Sequence, residues 1–333
     1  MSKQIILTFD YELFLCKSGT IDNCIVKPVL ALRKTLKQHN IKAVFFVDIL
    51  YLKQLKDHKL DNDFNKVKKN IQSLITEGHS IELHIHSHWI DAKHDSKTNE
   101  WNLSENKNYN LNALNTAEAK SLFSEGYNLL TEIGKEVDSN YKITAFRAGG
   151  LCIQPFVLFS ELFLKHNITI DSSVAPGLKS ISKAQTYNFE SAPKKSVYSF
   201  ENDPCTEKKG GKFQQFPILY YKKNIFFKLI SKLGFYLNAD PHIQFGDGEA
   251  YTPESGRKTG LFSRLKATKY LFSLDGEYNQ KLLLNKIRSN RNSFITIISH
   301  PKSISKLSLS TIDIFKREGF KFITFDDLCK KNI

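Results

Sequence analysis

Ile5-Ile6-Leu7-Thr8-Phe9 is a short apolar run that stops at Asp10-Tyr11-Glu12, two carboxylates one residue apart. Its length and composition predict a buried strand over residues 5–9. The device repeats along the chain. Ala43-Val44-Phe45-Phe46-Val47 predicts a second buried strand, and residues 81–84 a third, leading into His84-Ile85-His86-Ser87-His88. Between these runs the apolar period changes to that of helices. Residues 26–39 carry Pro28 near a first turn and apolar side chains at 29, 30, 32 and 36. Phe64, Val67, Ile71, Leu74 and Ile75 fall on one helical face, which Glu77-Gly78-His79 ends.

The rhythm continues through a polar, Asn-rich loop at about 91–115, a helix to about Gly134, a strand at 143–146, a helix at 155–165 and a strand at 168–170. It returns with a strand at 294–298, a helix near 309–317 and a strand at 320–324. Alternating strands and helices predict an α/β fold with a parallel sheet or barrel. Residues 176–290 break the rhythm, with Lys208-Lys209-Gly210-Gly211 and a Phe-, Leu- and Ile-rich helix near 224–237. The expectation is one domain over residues 1–333, a barrel core at 4–175 and 290–330 with an insertion at about 176–290.

The 333 residues are 41% hydrophobic and 25% charged, which excludes a disordered or fibrous chain. The formal net charge is +14, but the lysines are spread out, and no zinc-finger spacing or RNA-recognition consensus is present. Nucleic-acid binding is not expected. The first apolar run is too short for a signal-peptide core, and no stretch approaches the length of a membrane span. These features predict a cytoplasmic protein without a transmembrane segment, whose basic surface suits peripheral contact with a membrane. Cys16, Cys24, Cys152, Cys205 and Cys329 are odd in number and lack a Cys-x-x-Cys pair, so free thiols are expected.

Catalytic groups of a βα barrel sit at the C-terminal ends of its strands. Here the strands end in Asp10-Tyr11-Glu12, His84-Ile85-His86-Ser87-His88, Arg147, Asp171-Ser172-Ser173 and Ser299-His300-Pro301. Two imidazoles four residues apart face one metal ion if the segment turns helically. A carboxylate from another strand completes a two-His, one-carboxylate set, a second carboxylate is free to act as base, and a separate His as acid. His79, at a helix end, is expected to interact with that helix's carbonyls. Thr324-Phe325-Asp326-Asp327 is read as a helix start with capping carboxylates.

In order, these motifs resemble the NodB-homology polysaccharide deacetylases, carbohydrate esterase family 4. Thr8-Phe9-Asp10, Gly78-His79-Ser80-Ile81 with His84 to His88, Phe146-Arg147-Ala148-Gly149-Gly150, Asp171-Ser172-Ser173 and Ile298-Ser299-His300-Pro301 stand where that family carries its five motifs. The resemblance covers residues 4–173 and, more loosely, 293–328. It implies a distorted (β/α) barrel with Asp10 as general base, Arg147 holding it, His84 and His88 as metal ligands, His300 as the acid, and Asp171 orienting His300. The family's second Asp is Tyr11 here. Relatives with Asp-x-Asp or Asp-x-Glu point to Glu12 as the third ligand, and if Glu12 turns away Asp10 must ligate the metal. Ile85 replaces a hydroxyl residue, with Ser87 as a substitute, and Gly149 stands where Pro is common.

The implied function is a metal-dependent hydrolase of carbohydrate metabolism. It would remove an N-acetyl or similar acyl group from a polysaccharide or its nucleotide- or lipid-linked precursor, as in surface-polysaccharide biosynthesis. The expected cofactor is a divalent metal, zinc first and Co2+ or Mn2+ as alternatives. A cyclic-amide hydrolase on the same fold and a non-catalytic carbohydrate-binding barrel stay open beside it.

Overall fold

A computed structural model of the protein describes residues 3–105, 107–182, 184–223, 229, 240–250, 268–275 and 279–329. The strands are β1 (Gln4–Tyr11), β2 (Val44–Asp48), β3 (Ser80–Ile85), β4 (Lys93–Asp95), β5 (Glu100–Asn102), β6 (Ala145–Ala148), β7 (Ile170–Asp171), β8 (Lys179–Ile181), β9 (Thr186–Asn188), β10 (Tyr198–Phe200), β11 (Phe213–Gln215), β12 (Tyr220–Lys223), β13 (Thr268–Leu271), β14 (Phe294–Ser299) and β15 (Lys321–Phe322). The helices are α1 (Lys27–Gln38), α2 (Ile49–Asp57), α3 (Asp61–Thr76), α4 (Thr116–Lys135), α5 (Val157–His166), α6 (Gln280–Ser289), α7 (Lys306–Arg317) and α8 (Phe325–Cys329).

The main sheet runs β10-β11-β7-β6-β3-β2-β1-β14, with β15 also on β1. From β11 to β14 every pairing is parallel, while β10 lies antiparallel on β11. One edge of β1 pairs with β14; the other pairs first with β15 and then with β2. Just past β11, Ile218 bridges Thr296 of β14 in parallel, and the Leu219 N–H donates to the Thr296 carbonyl. The sheet thus curls until its ends meet, giving the distorted (β/α) barrel expected from the alternation.

Part of the stretch read as an insertion belongs to this barrel. β10 and β11 lie within 176–290, yet β11 pairs with β7. Three-residue strands carrying Gln214 and Gln215 leave no apolar run to find in the sequence. Apart from residue 229, the helix expected near 224–237 lies outside the described residues. Among the described residues no helix is long and apolar enough to cross a membrane.

Alternation along the strands sorts the side chains between two layers. Ile6, Val44, Phe46, Ala145, Ile170, Phe216 and Phe294 form the barrel's inner cluster with Phe325 and Leu328 of α8. Leu7, Phe9, Phe45, Val47, Leu83, Ile85 and Phe146 belong to the cluster shared with the surrounding helices. At the foot of α8, Asp327 accepts from the Thr324 N–H and hydroxyl, in the helix-start geometry expected of that motif.

Helix α3 ends as its sequence dictates. Gly78 takes φ +79°, open to glycine at no steric cost, and the Gly78 and His79 N–H groups donate back to Ile75 and Leu74. The His79 side chain does not cap this helix. Its Nδ1 accepts from the Ala43 N–H at 3.2 Å, which ties the helix end to the start of β2. Burial, with Lys42 nearby, lowers the His79 pKa to about 4. A group whose folded pKa is depressed stabilises the fold fully above its unfolded pKa, and that contribution is lost as pH falls. His79→Gln keeps an acceptor without a titration. Relative to this variant, wild type should lose about 3 kcal/mol between pH 7 and pH 4. Urea melts at both pH values check this, and a constant difference would refute it.

Candidate active site

Asp10 and Glu12 are two residues apart on β1 and its extension, so both turn into the barrel. Tyr11 between them turns out, where its hydroxyl donates to Asn70 of α3 at 3.1 Å. The same parity governs β3. His84 and His86 face inward, while Ile85 packs among the helices. Glu12 Oε2 lies 3.1 Å from His84 Nε2 and 2.8 Å from His86 Nε2. These three buried residues are the set, among those described, whose ligand atoms gather within 4.8 Å of one another.

The expected partner of His84 was His88, which needs a helical turn starting at 84. The backbone instead stays extended through His86 (φ −105°, ψ 99°) and turns only over Ser87–Asp91. His88 is therefore carried behind the cluster. It stacks on Tyr109 at 4.8 Å between centroids, and neither ring nitrogen has a hydrogen-bond partner among the described residues. Burial holds His88 well below the usual imidazole range. Ser87, the suggested substitute for the missing hydroxyl residue, donates to the Asn108 carbonyl. Asp48, at the end of β2, escaped the sequence reading. It accepts from the His86 N–H and the Trp89 indole, and so shapes the turn that brings His86 in.

The chemistry of this donor set fits a divalent ion. His84 Nδ1 donates to the Arg147 carbonyl at 2.7 Å, which fixes the ring and leaves Nε2 facing Glu12. Burial alone would lower the His84 pKa, but Asp10, Glu12 and Asp48 push it up to about 9. Glu12 is held well below the usual carboxylate range: burial raises it, and Lys302, His86 and His84 outweigh that. Two imidazoles and one carboxylate leave positions open for water and substrate.

Arg147 is fully buried and spans the site. Its NH1 donates to Asp10 Oδ1 at 2.5 Å, its Nε to the Ser172 carbonyl and its NH2 to Ser172 Oγ, with the guanidinium 4.2 Å over Phe46. Asp171 does not reach His300. Ile170 faces the barrel interior, so Asp171 turns to the other side, where it accepts from the Ser173 hydroxyl and N–H. Burial raises the Asp171 pKa to about 6.

The carboxylate on His300 is Asp275, from the stretch read as an insertion. His300 Nδ1 lies 2.8 Å from Asp275 Oδ2, and Nε2 lies 3.9 Å from Asp10 Oδ2 and 3.8 Å from Glu12 Oε1. Burial would lower the His300 pKa; Asp275 and the other two carboxylates raise it. No periodicity or motif surrounds Asp275 in the sequence. Asp10, Glu12, His84, His86, Arg147 and His300 thus converge at one end of the parallel strands, with Asp275 behind His300.

No family model matches the sequence, and no curated protein matches it. Among solved structures, the 4-alpha-glucanotransferase from Thermococcus litoralis aligns with 99% of this chain and 40% of its own at TM-score 0.52 and 12% identity. A Mycobacterium smegmatis protein described as a polysaccharide deacetylase aligns with 99% of this chain and 90% of its own, at TM-score 0.48 and 11% identity. Peptidoglycan deacetylase PdaC from Bacillus subtilis covers 99% and 91%, at TM-score 0.42 and 12% identity. The likeness is one of fold.

Two substitutions probe this geometry. Arg147→Met leaves Asp10 buried without its cation and should cost about 3–5 kcal/mol in chemical denaturation; a loss below about 1 kcal/mol would mean the pair does not persist in solution. At Gly149 an added Cβ would run into the Ile85 carbonyl oxygen and stand 2.9 Å from His86 Nδ1. Gly149→Ala should therefore displace His86 and, if these three residues hold a divalent ion, weaken its binding about tenfold or more, read by competition with a chelating dye; unchanged affinity would remove His86 from the candidate set.

Proposed function

We propose that this protein is a metal-dependent hydrolase that removes an N-acetyl or similar acyl group from a sugar in a polysaccharide or its precursor. One observation carries the reading. A carboxylate clamped by a buried arginine, a Glu-His-His set and an Asp-backed histidine share one end of the barrel, all within about 4 Å of a neighbour in the group. The ordered motifs of the sequence support it independently.

Glu12, His84 and His86 would hold the metal, with zinc expected. When bound, such an ion acidifies water and polarises an amide carbonyl. Arg147 holds Asp10 Oδ1 and leaves Asp10 Oδ2 facing the pocket, where it accepts the proton of the attacking water. Asp275 holds the Nδ1 proton of His300, so that Nε2 delivers the other proton to the departing amine. Acetate and a free amino sugar are the products. The side chain of His300 is 26% exposed, against 6% for Asp10, so the acid stands at the mouth and the base inside. A net charge of +14 favours an anionic, diphosphate-linked precursor and the face of an anionic membrane, in keeping with a cytoplasmic site of action.

The test is elemental analysis followed by acetate release from N-acetylated sugars, free and nucleotide-linked. Near-stoichiometric zinc should be lost in a His84→Ala/His86→Ala double variant. Asp10→Asn and His300→Ala should each lower turnover by about 10²–10⁴-fold, and Asp275→Asn should follow His300→Ala in direction. Wild-type turnover in both Asp10→Asn and His300→Ala, or no zinc in the wild type, would end this reading.

A further inference from the structure

Lys302 lies two residues past His300, in the short turn Pro301–Ser303, and is only 6% exposed. Lysine is almost never buried unless it is paired. Its ammonium donates to Glu12 Oε1 at 2.8 Å and to the Leu13 carbonyl at 2.6 Å, and stands 5.1 Å over the Phe14 ring. Three consecutive residues leaving β1 therefore grip one buried cation. The backbone of the lysine is held too. The Gly246 N–H donates to the Lys302 carbonyl and the Phe245 N–H to that of Ile304.

The two oxygens of Glu12 thus have separate duties. Oε1 is taken by Lys302, while Oε2 is the oxygen beside His84 Nε2 and His86 Nε2. Resting on the metal centre proposed above, we infer that Lys302 is a positioning residue that makes Glu12 a one-oxygen metal ligand. A free glutamate can close on a divalent ion with both oxygens. That would fill a position which a hydrolytic centre keeps for water or the substrate carbonyl. Tying Oε1 keeps the position open. It also gives Asp10 and Glu12 a buried cation each, Arg147 for Asp10 and Lys302 for Glu12.

The experiment reads coordination, not turnover. Cobalt-loaded wild type should show the intense visible absorption of a low-coordinate ion, and a zinc-loaded crystal should show Glu12 bound through Oε2 with Oε1 still on Lys302. Lys302→Met should lose most of that absorption as the second oxygen coordinates. Lys302→Arg, which keeps a buried donor, should retain more of it. Should the methionine variant fail to fold, the zinc-loaded wild type decides alone. Zinc bound through both Glu12 oxygens, or identical cobalt spectra in wild type and Lys302→Met, would overturn the role of Lys302 and leave the metal centre standing. Wild type that binds neither ion would overturn the metal centre itself, and this inference with it.

Discussion

A strand sends every second side chain to the same face, and the candidate site is built from that constraint. Along β1 the inward positions read Ile6, Thr8, Asp10, Glu12; along β3 they read Glu82, His84, His86. The lower positions fill the barrel with apolar groups or satisfied polar ones. Glu82, for example, accepts from Ser80, Thr144 and the Ala145 N–H. The upper positions, where the strands run out and the pairing ends, carry the reactive groups. A one-residue slip of β1 would bury Tyr11 in the pocket and send both carboxylates into the helix layer. The register of β1 with β2 and β14 is thus a condition for the chemistry as much as for the fold.

Charge placement follows from the same burial. Desolvating a carboxylate is costly unless a cation or several donors offset it. The barrel solves this locally: Arg147 reaches Asp10 across the interior, and Lys302 reaches Glu12 from the turn after β14. Asp48 accepts instead from an indole and an N–H, and burial raises its pKa although His86 and His84 oppose the rise. The pocket therefore holds two carboxylates that are each tied to a buried cation, and one whose work is to hold a turn.

What the sequence made legible was what local pattern encodes. Apolar runs ending in Asp10, His84, Arg147 and His300 revealed the strands and the end of the barrel where polar groups collect. Helical spacing points to His88, but an i, i+4 pair and an i, i+2 pair coexist in His84-Ile85-His86-Ser87-His88, and the extended backbone at His86 brings His86 beside His84 and Glu12. Parity likewise removes Asp171, one residue past an inward-facing Ile170. Asp275 and Lys302 were illegible for another reason: their partners lie 25 and 290 residues away, and nothing local marks either contact.

The placement of Asp275 shows how such a distant contact becomes dependable. The Leu274 N–H donates to Ser299 Oγ at 2.9 Å, and the Leu274 carbonyl accepts from Ser308 Oγ at 3.0 Å. Ser299 is the last residue of β14 and immediately precedes His300; Ser308 sits in the first turn of α7, where it also completes the capping box with Ser305. The residue before Asp275 is therefore fastened to the residue before His300 and to the helix that follows it. Any shift of the β14 end moves acid and carboxylate together, so their 2.8 Å contact survives motions that would separate two independently mounted side chains. At Leu274-Asp275 the stretch between β7 and β14 is part of the strand end it serves.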